Sequence, residues 1–253
     1  MFKILSRRDS SAILHTLDFH RYAIRTRHRV KLIINYAVSH NVRHLDIYLK
    51  CRFEQFPRCL FSCCTLTSLK LSVSLPQMYS KRVCFPNSLN LPASTSLSLK
   101  SFCFRVGDDG RVEPFSTLNN LNTSFEIELS APSLITFNFK GIPLQKLRRS
   151  NGNLSTVKHV SFDVDNWLYR AATPLVLLNW LVELASIESL TITSTTLQAL
   201  SLVPDLLKSE FSSLCNLKLL KVKKKYSLSV LDDGLVEFLL QNSPSAEVKI
   251  VDY

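Results

Sequence analysis

The chain has 253 residues, 46% hydrophobic and 20% charged, a balance that predicts a folded core and excludes a disordered chain. No apolar run reaches the ~18 residues that a membrane-spanning helix needs; the longest, LVLLNWLVELASI from Leu175, is interrupted by Asn179 and Glu183. The net charge is +11, and with only 5 glycines and no G-x-G-x-x-G or G-x-x-x-x-G-K-[ST] the sequence offers no phosphate-binding loop.

The first segment, MFKILSRRDSS, meets Arg7 and Arg8 too early for the apolar stretch of a secretory signal. A cytoplasmic or nuclear address, with no membrane, is therefore expected. Under that address the triplets Asn122-Thr123-Ser124 and Asn153-Leu154-Ser155 carry no sugar, and seven irregularly spaced cysteines are expected as reduced thiols. Residues 1–58 hold twelve Lys or Arg against Asp9, Asp18, Asp46 and Glu54. Within that group Arg21, Arg25, Arg27, Arg29 and Lys31 follow no single helix face. Residues 1–28 are expected to cap the N-terminal end of the fold or to be a remnant linker.

VKLIINYAV places Val30, Ile33, Ile34, Ala37 and Val38 on one helical face, with His40-Asn41 as the stop. A strand phrase follows: Val42, Leu45 and Ile47 in the order apolar, two variable, apolar, one variable, apolar. Then comes PRCLFSCCTL. Its Cys59, Cys63 and Cys64 contain no C-x-x-C pair, and His40 and His44 precede them in the wrong order for a zinc finger, so packed thiols are expected and no metal. The phrase returns at Leu66, Leu69, Leu71 and at Leu99, Phe102, Phe104. The GDDG stretch with Asp108 and Asp109 is a turn signal before it is paired-carboxylate chemistry. Further copies stand at Leu134, Phe137, Phe139 and at Val157, Val160, Phe162.

Thr173-Pro174 then reads as N-cap and first helical residue of a helix with Leu178, Leu181, Val182 and Ala185 on one face. Trp167 and Trp180 read as packing rather than a ligand cage. The phrase recurs at Ile187, Leu190, Ile192 and in LKLLKVKKK at Leu217, Leu220, Val222. Asp232-Asp233 opens a last helix, GLVEFLLQN, and AEVKIV forms a closing strand.

A seven-fold phrase with middle anchors 24, 33, 35, 23, 30 and 30 residues apart is a loose internal repeat. One such unit cannot bury its apolar face alone, whereas stacked units share a core. The expected fold class is therefore α/β, a leucine-rich-repeat solenoid or horseshoe with irregular repeats and a curved parallel sheet. A doubly wound sheet is the competitor, but it wants a binding loop that the glycine content does not provide. An open solenoid exposes core at its ends unless they are capped.

The run Val30 to Ser72 resembles the plant F-box/leucine-rich-repeat family through Val42, Leu45, Asp46, Phe56, Pro57, Leu60, Phe61, Cys63, Leu66, Leu69 and Leu71. LSAPSLITFNF, from Leu129 to Phe139, is similar to that family's Ala-Pro-x-Leu strand, and 187–253 resembles its FBD-type C-terminal end. The resemblance implies a leucine-rich-repeat domain over 29–253 that acts as the substrate-recognition part of an SCF-type ubiquitin-ligase receptor. The F-box pattern that docks on the ligase adaptor is not found in 1–26, so adaptor binding is not expected. The repeat before the Ala-Pro strand is degenerate.

The variable positions of each phrase point away from the core and form the candidate protein-binding face. They are His44, Asp46, Tyr48, Ser68, Lys70, Thr136, Asn138, His159, Ser161, Asp163, Ser189, Thr191, Lys221 and Lys223, with Ser101 and Cys103 in the third phrase. His159, Asp163 and nearby serines lack the strand-turn-helix context of a nucleophile, so no catalytic residue, no enzyme activity and no cofactor are expected. The expected function is a protein-interaction module binding a protein on its concave face. The alternative is a basic repeat protein binding nucleic acid through Lys221, Lys223 and Lys225, although no stacking aromatics interleave with those lysines.

Overall fold

The structure, a computed structural model, describes residues 14–21, 27–49, 56–73, 84–85, 88–104, 126–143, 145–149, 154–164, 173–203, 214–224, 233–241 and 243–252. Asp108, Asp109, Trp167, Lys225 and Asp232 lie outside them.

The fold is mixed α/β, and its largest element is an open parallel sheet of nine strands. In chain order these are β1 (Thr16–Arg21), β2 (His44–Leu49), β3 (Ser68–Val73), β6 (Ser96–Phe104), β8 (Thr136–Gly141), β10 (His159–Asp163), β11 (Ser189–Thr193), β12 (Leu219–Lys224) and β13 (Glu247–Asp252). The short β4 (Cys84–Phe85) pairs with the end of β6. Beside it lies a three-stranded parallel sheet of β5 (Ser88–Asn90), β7 (Glu126–Ser130) and β9 (Lys146–Arg149). The helices are α1 (Arg27–Ser39), α2 (Thr173–Glu183), α3 (Ser194–Leu200) and α4 (Asp233–Leu240), with 3-10 turns at Arg58–Ser62 and Leu154–Thr156.

Strand order in the large sheet follows chain order, so every crossover returns the chain beside the strand it has just left. The elements of those crossovers form a second layer. Along it α1, the Arg58–Ser62 turn, β5, β7, β9, α2 and α3 each pack on the next. Core side chains fill the space between the layers, at least two from each of the first eight strands: Leu17 and Phe19, Leu45 and Ile47, Leu69 and Leu71, Leu97 and Leu99, Phe137 and Phe139, Val160 and Phe162, Leu190 and Ile192, Leu220 and Val222. All are in one cluster, and each buried side chain contributes about 1.5–3 kcal/mol.

The register corrects the expected repeat in two places. Leu97 and Leu99, not Phe102 and Phe104, stand beside Leu69 and Leu71, and Phe102 falls at a bulge opposite Gly141. SLSLKSFCF alternates through Leu97 and Leu99 and, after a break at Lys100-Ser101, through Phe102 and Phe104; the phrase fits the second pair, but the neighbouring strands take up the first. Leu14, Leu17 and Phe19 form a further copy within 1–28, and its strand β1 pairs with β2. The middle anchors thus stand at 17, 45, 69, 97, 137, 160, 190, 220 and 248. Seven of the eight intervals lie between 23 and 30 residues, and the remaining one contains the undescribed 105–125.

A backbone ladder pins this register. Just ahead of each strand one carbonyl accepts two amides of the following unit: His15 from Arg43 and His44, Arg43 from Thr67 and Ser68, Thr67 from Thr95 and Ser96. The series continues through Thr95, Ile135, Lys158 and Glu188. Three residues ahead of the phrase a buried anchor closes the preceding turn, as in Leu91 to Ser94, Ala131 to Leu134, Leu154 to Val157 and Leu214 to Leu217.

Local chemistry explains the helix ends. At the C-terminus of α1, Asn41 takes φ 55°, Val42 N–H donates to Ala37 O at 3.1 Å and Asn41 N–H to Val38 O at 3.1 Å. This is the left-handed stop expected of His40-Asn41, with Val42 folded onto Ala37. The capping role expected of Thr173 is not observed. That residue lies inside α2, and its buried Oγ1 has no hydrogen-bond partner among the described residues. Thr193 caps α3 instead, accepting from Thr196 N–H. Thr196 Oγ1 in turn accepts from Val164 N–H at 3.0 Å, closing the end of β10.

Helix α2 seals the edge of the small sheet. Asn179 Oδ1 accepts from Leu147 N–H at 2.8 Å, and Trp180 Nε1–H donates to Gln145 O at 2.8 Å. The asparagine that interrupts the apolar run is thus a substitute strand neighbour for β9. Trp180 is fully buried among Phe137, Phe139 and Phe162, at ring distances of 5.8, 4.9 and 6.0 Å.

Candidate protein-binding face

On the side of the large sheet away from the second layer, strand alternation produces three rows of side chains. The first runs Thr16, His44, Ser68, Ser96, Thr136, His159, Ser189, Leu219, Glu247. The second runs Asp18, Asp46, Lys70, Ser98, Asn138, Ser161, Thr191, Lys221, Lys249. The third runs His20, Tyr48, Ser72, Lys100, Lys140, Asp163, then Thr193, Lys223 and Val251.

All fourteen candidate residues fall on these rows. His44, Lys70 and His159 are exposed; Asp46, Tyr48, Ser68, Thr136, Asn138, Ser161, Asp163, Ser189, Thr191, Lys221 and Lys223 are partly exposed. In the third phrase the register puts Ser96 and Ser98 on this face, while the side chains of Ser101 and Cys103 lie outside the described ones. Asp18 and His20 were outside the expected set because β1 sits in a segment read as a cap. The third row is interrupted: Ser72 and Thr193 are buried, the latter drawn into the cap of α3.

Charge is unevenly spread. At the β1–β3 end, Asp46 accepts from Lys70 Nζ at 2.7 Å, with His20 Nε2 3.5 Å away and the His20 and Tyr48 rings edge to face at 5.9 Å. Near the middle, Lys140 and Asp163 pair across adjacent strands. Between Lys70 and Lys221 the second row is uncharged: Ser98, Asn138, Ser161 and Thr191. At the far end Lys221 lies beside Lys249, with Lys223 and Lys224 on the same strand.

On the rim below the first row, Glu188 bridges Lys158 at 2.9 Å and Lys218 at 2.7 Å. The hydrogen bonds from Lys218 and then Lys158 hold its carboxyl at about 2, down from 4.5. These three residues belong to the carbonyl ladder, so the backbone sets their spacing. Of the three cysteines expected as packed thiols only Cys63 is buried, beside Thr65; Cys59, which donates to Asn35 Oδ1 at 3.3 Å, and Cys64 are exposed. Among the described residues no three His, Cys, Asp or Glu side chains converge as a metal site would require.

The face offers hydroxyls, amides and paired charges on a hydrogen-bonded backbone platform, groups suited to non-covalent recognition. Compared with known proteins, the chain matches no family model, no curated protein and no solved structure.

Proposed function

We propose that the chain is a leucine-rich-repeat interaction module whose outer sheet face recognises a protein, as the substrate-binding part of F-box ubiquitin-ligase receptors does. Its nine parallel strands would be the rungs of an irregular horseshoe, and the face would be the concave side. The observation that carries this reading is the uncharged stretch of the second row, Ser98, Asn138, Ser161 and Thr191, flanked on one side by the Asp46–Lys70 pair and on the other by Lys221. Such a row gives a protein partner hydrogen-bonding capacity along its middle, with charges at its two ends and in the neighbouring Lys140–Asp163 pair to set orientation. Adaptor binding is not part of the proposal.

The experiment is site-directed photo-crosslinking in the native cell, with the reactive residue at Asn138 or Ser161 and, as control, at Asn35 on α1. A discrete protein adduct from the sheet positions and none from Asn35 supports the reading. Equal labelling from both overturns it. The basic-repeat alternative rests on Lys221, Lys223 and Lys224 at one end of the face. It requires nucleic-acid affinity that falls with salt and disappears on charge reversal of Lys221 and Lys223.

A further inference from the structure

The two ends of the large sheet differ. At the first strand the core positions Leu17 and Phe19 are 8% and 4% exposed, so little apolar surface remains there to cover. At the last strand, β13, Val248 and Ile250 stand in register with Leu220 and Val222 yet are 39% and 54% exposed. The core therefore continues one rung past its cover. Among the described residues no strand pairs with the outer backbone edge of β13 either. Glu247 N–H points inward to Lys218 O at 2.8 Å, so by ladder alternation Val248, Ile250 and Asp252 turn their amides and carbonyls outward. No proline or bulge blunts this edge, an arrangement that favours pairing with another strand.

We infer that β13 pairs antiparallel with β13 of a second copy, making a two-fold dimer with one sheet continuous across the interface. Both copies keep their core faces on the same side only if residues of like parity stand opposite each other. Among such registers, one places Glu247 opposite Lys249 of the second copy and Lys249 opposite its Glu247. In that register Val248 faces its own counterpart, and Ile250 faces Ala246 of the second copy. Val248 then exchanges both backbone hydrogen bonds with its counterpart, and no proline falls where the two β13 strands overlap. Shifting by two residues sets Lys249 against Lys249, a repulsive pair. Glu247 and Lys249 already meet within one strand at 3.1 Å, so dimerisation exchanges the one contact in each copy for two like it between copies.

Head-to-tail pairing of β13 with β1 also matches charges, since Lys249 would face Asp18. It fails on the apolar account, because Leu17 and Phe19 are already covered. It would also propagate without closing, whereas the two-fold pairing covers two open ends with each other.

The test is sedentitation-velocity ultracentrifugation of the full chain over a dilution series, with thermal unfolding recorded for every variant. The wild type is expected to show a monomer–dimer equilibrium. Val248→Pro removes an outward-facing amide and leaves the inward ladder intact, and is expected to give a monomer. Glu247→Lys or Lys249→Glu alone is expected to weaken dimerisation roughly tenfold, and the double exchange to restore it. A wild-type monomer throughout, open-ended oligomers, or a double exchange no better than either single change would each overturn the inference.

Discussion

Replacing Trp180 with alanine probes how the two layers are held together. The indole is fully buried, lies 4.9 Å from Phe139 and 5.8 Å from Phe137, and donates to Gln145 O at 2.8 Å. Truncating a buried tryptophan costs about 3–5 kcal/mol in transfer and cavity terms. Loss of a donor to a buried carbonyl adds about 1–3 kcal/mol. Against a typical stability of about 5–15 kcal/mol this consumes a large part of the whole. At about 2–4 °C per kcal/mol for a chain of this size, the midpoint of thermal unfolding should fall by about 10 °C or more. Trp180→Phe keeps a ring in the aromatic cluster but loses the N–H, so its cost should approach the hydrogen-bond part alone. Circular dichroism during heating and urea titration of the three proteins measures both. A change below ~1 kcal/mol for Trp180→Ala would refute the placement of the indole between α2, β9 and the sheet.

Three other outcomes follow from the same geometry. Thr196→Val removes the acceptor of Val164 N–H and should cost about 1–3 kcal/mol in urea denaturation, more than Thr195→Val on the partly exposed neighbouring position. Glu188 is held at about 2, so its pairing with Lys218 and Lys158 stabilises the fold fully above pH 4.5 and loses this contribution as pH falls towards 2. Glu188→Gln should flatten that limb of the stability–pH curve and lower the neutral-pH value by the same amount, a small one because the pair is solvent-screened. Asp46→Ala breaks the contacts to Lys70 and His20 on the outer face and should cost less than ~1 kcal/mol by thermal unfolding.

The strand pairs Leu45/Ile47, Leu69/Leu71, Val160/Phe162, Leu190/Ile192 and Leu220/Val222 were legible in the sequence, because a half-buried strand writes alternation into its side chains. Helices α1 and α2 were legible through their apolar faces, and the stop at Asn41 through its tolerance of the left-handed region. Legibility failed where the pattern underdetermines the answer. Along β6 the template fits Leu99, Phe102 and Phe104, whereas the structure pairs Leu97 with Leu69 and Leu99 with Leu71. Ser94, fully buried where other copies carry Leu, Val or Ile, hid the correct start.

Strands β5, β7 and β9 are three to five residues long, too short for periodicity to separate from loop. The roles of Asn179 and Trp180 depend on where β9 ends up, which no local pattern encodes. On the candidate face, the outward direction of Asn138, Ser161 and Thr191 was readable from alternation. Which residues stand side by side, such as Lys221 with Lys249 or Lys140 with Asp163, required the register.

The central claim is that β6 and β8 are direct neighbours within one parallel sheet whose strands share a core. Amide–amide nuclear Overhauser contacts in a deuterated sample test it most directly. The expected contacts join Ser98 to Asn138, Asn138 to Ser161, Ser161 to Thr191 and Thr191 to Lys221, each strand running the same way as the next. Contacts displaced by one residue, running antiparallel, or bypassing β6 would contradict it.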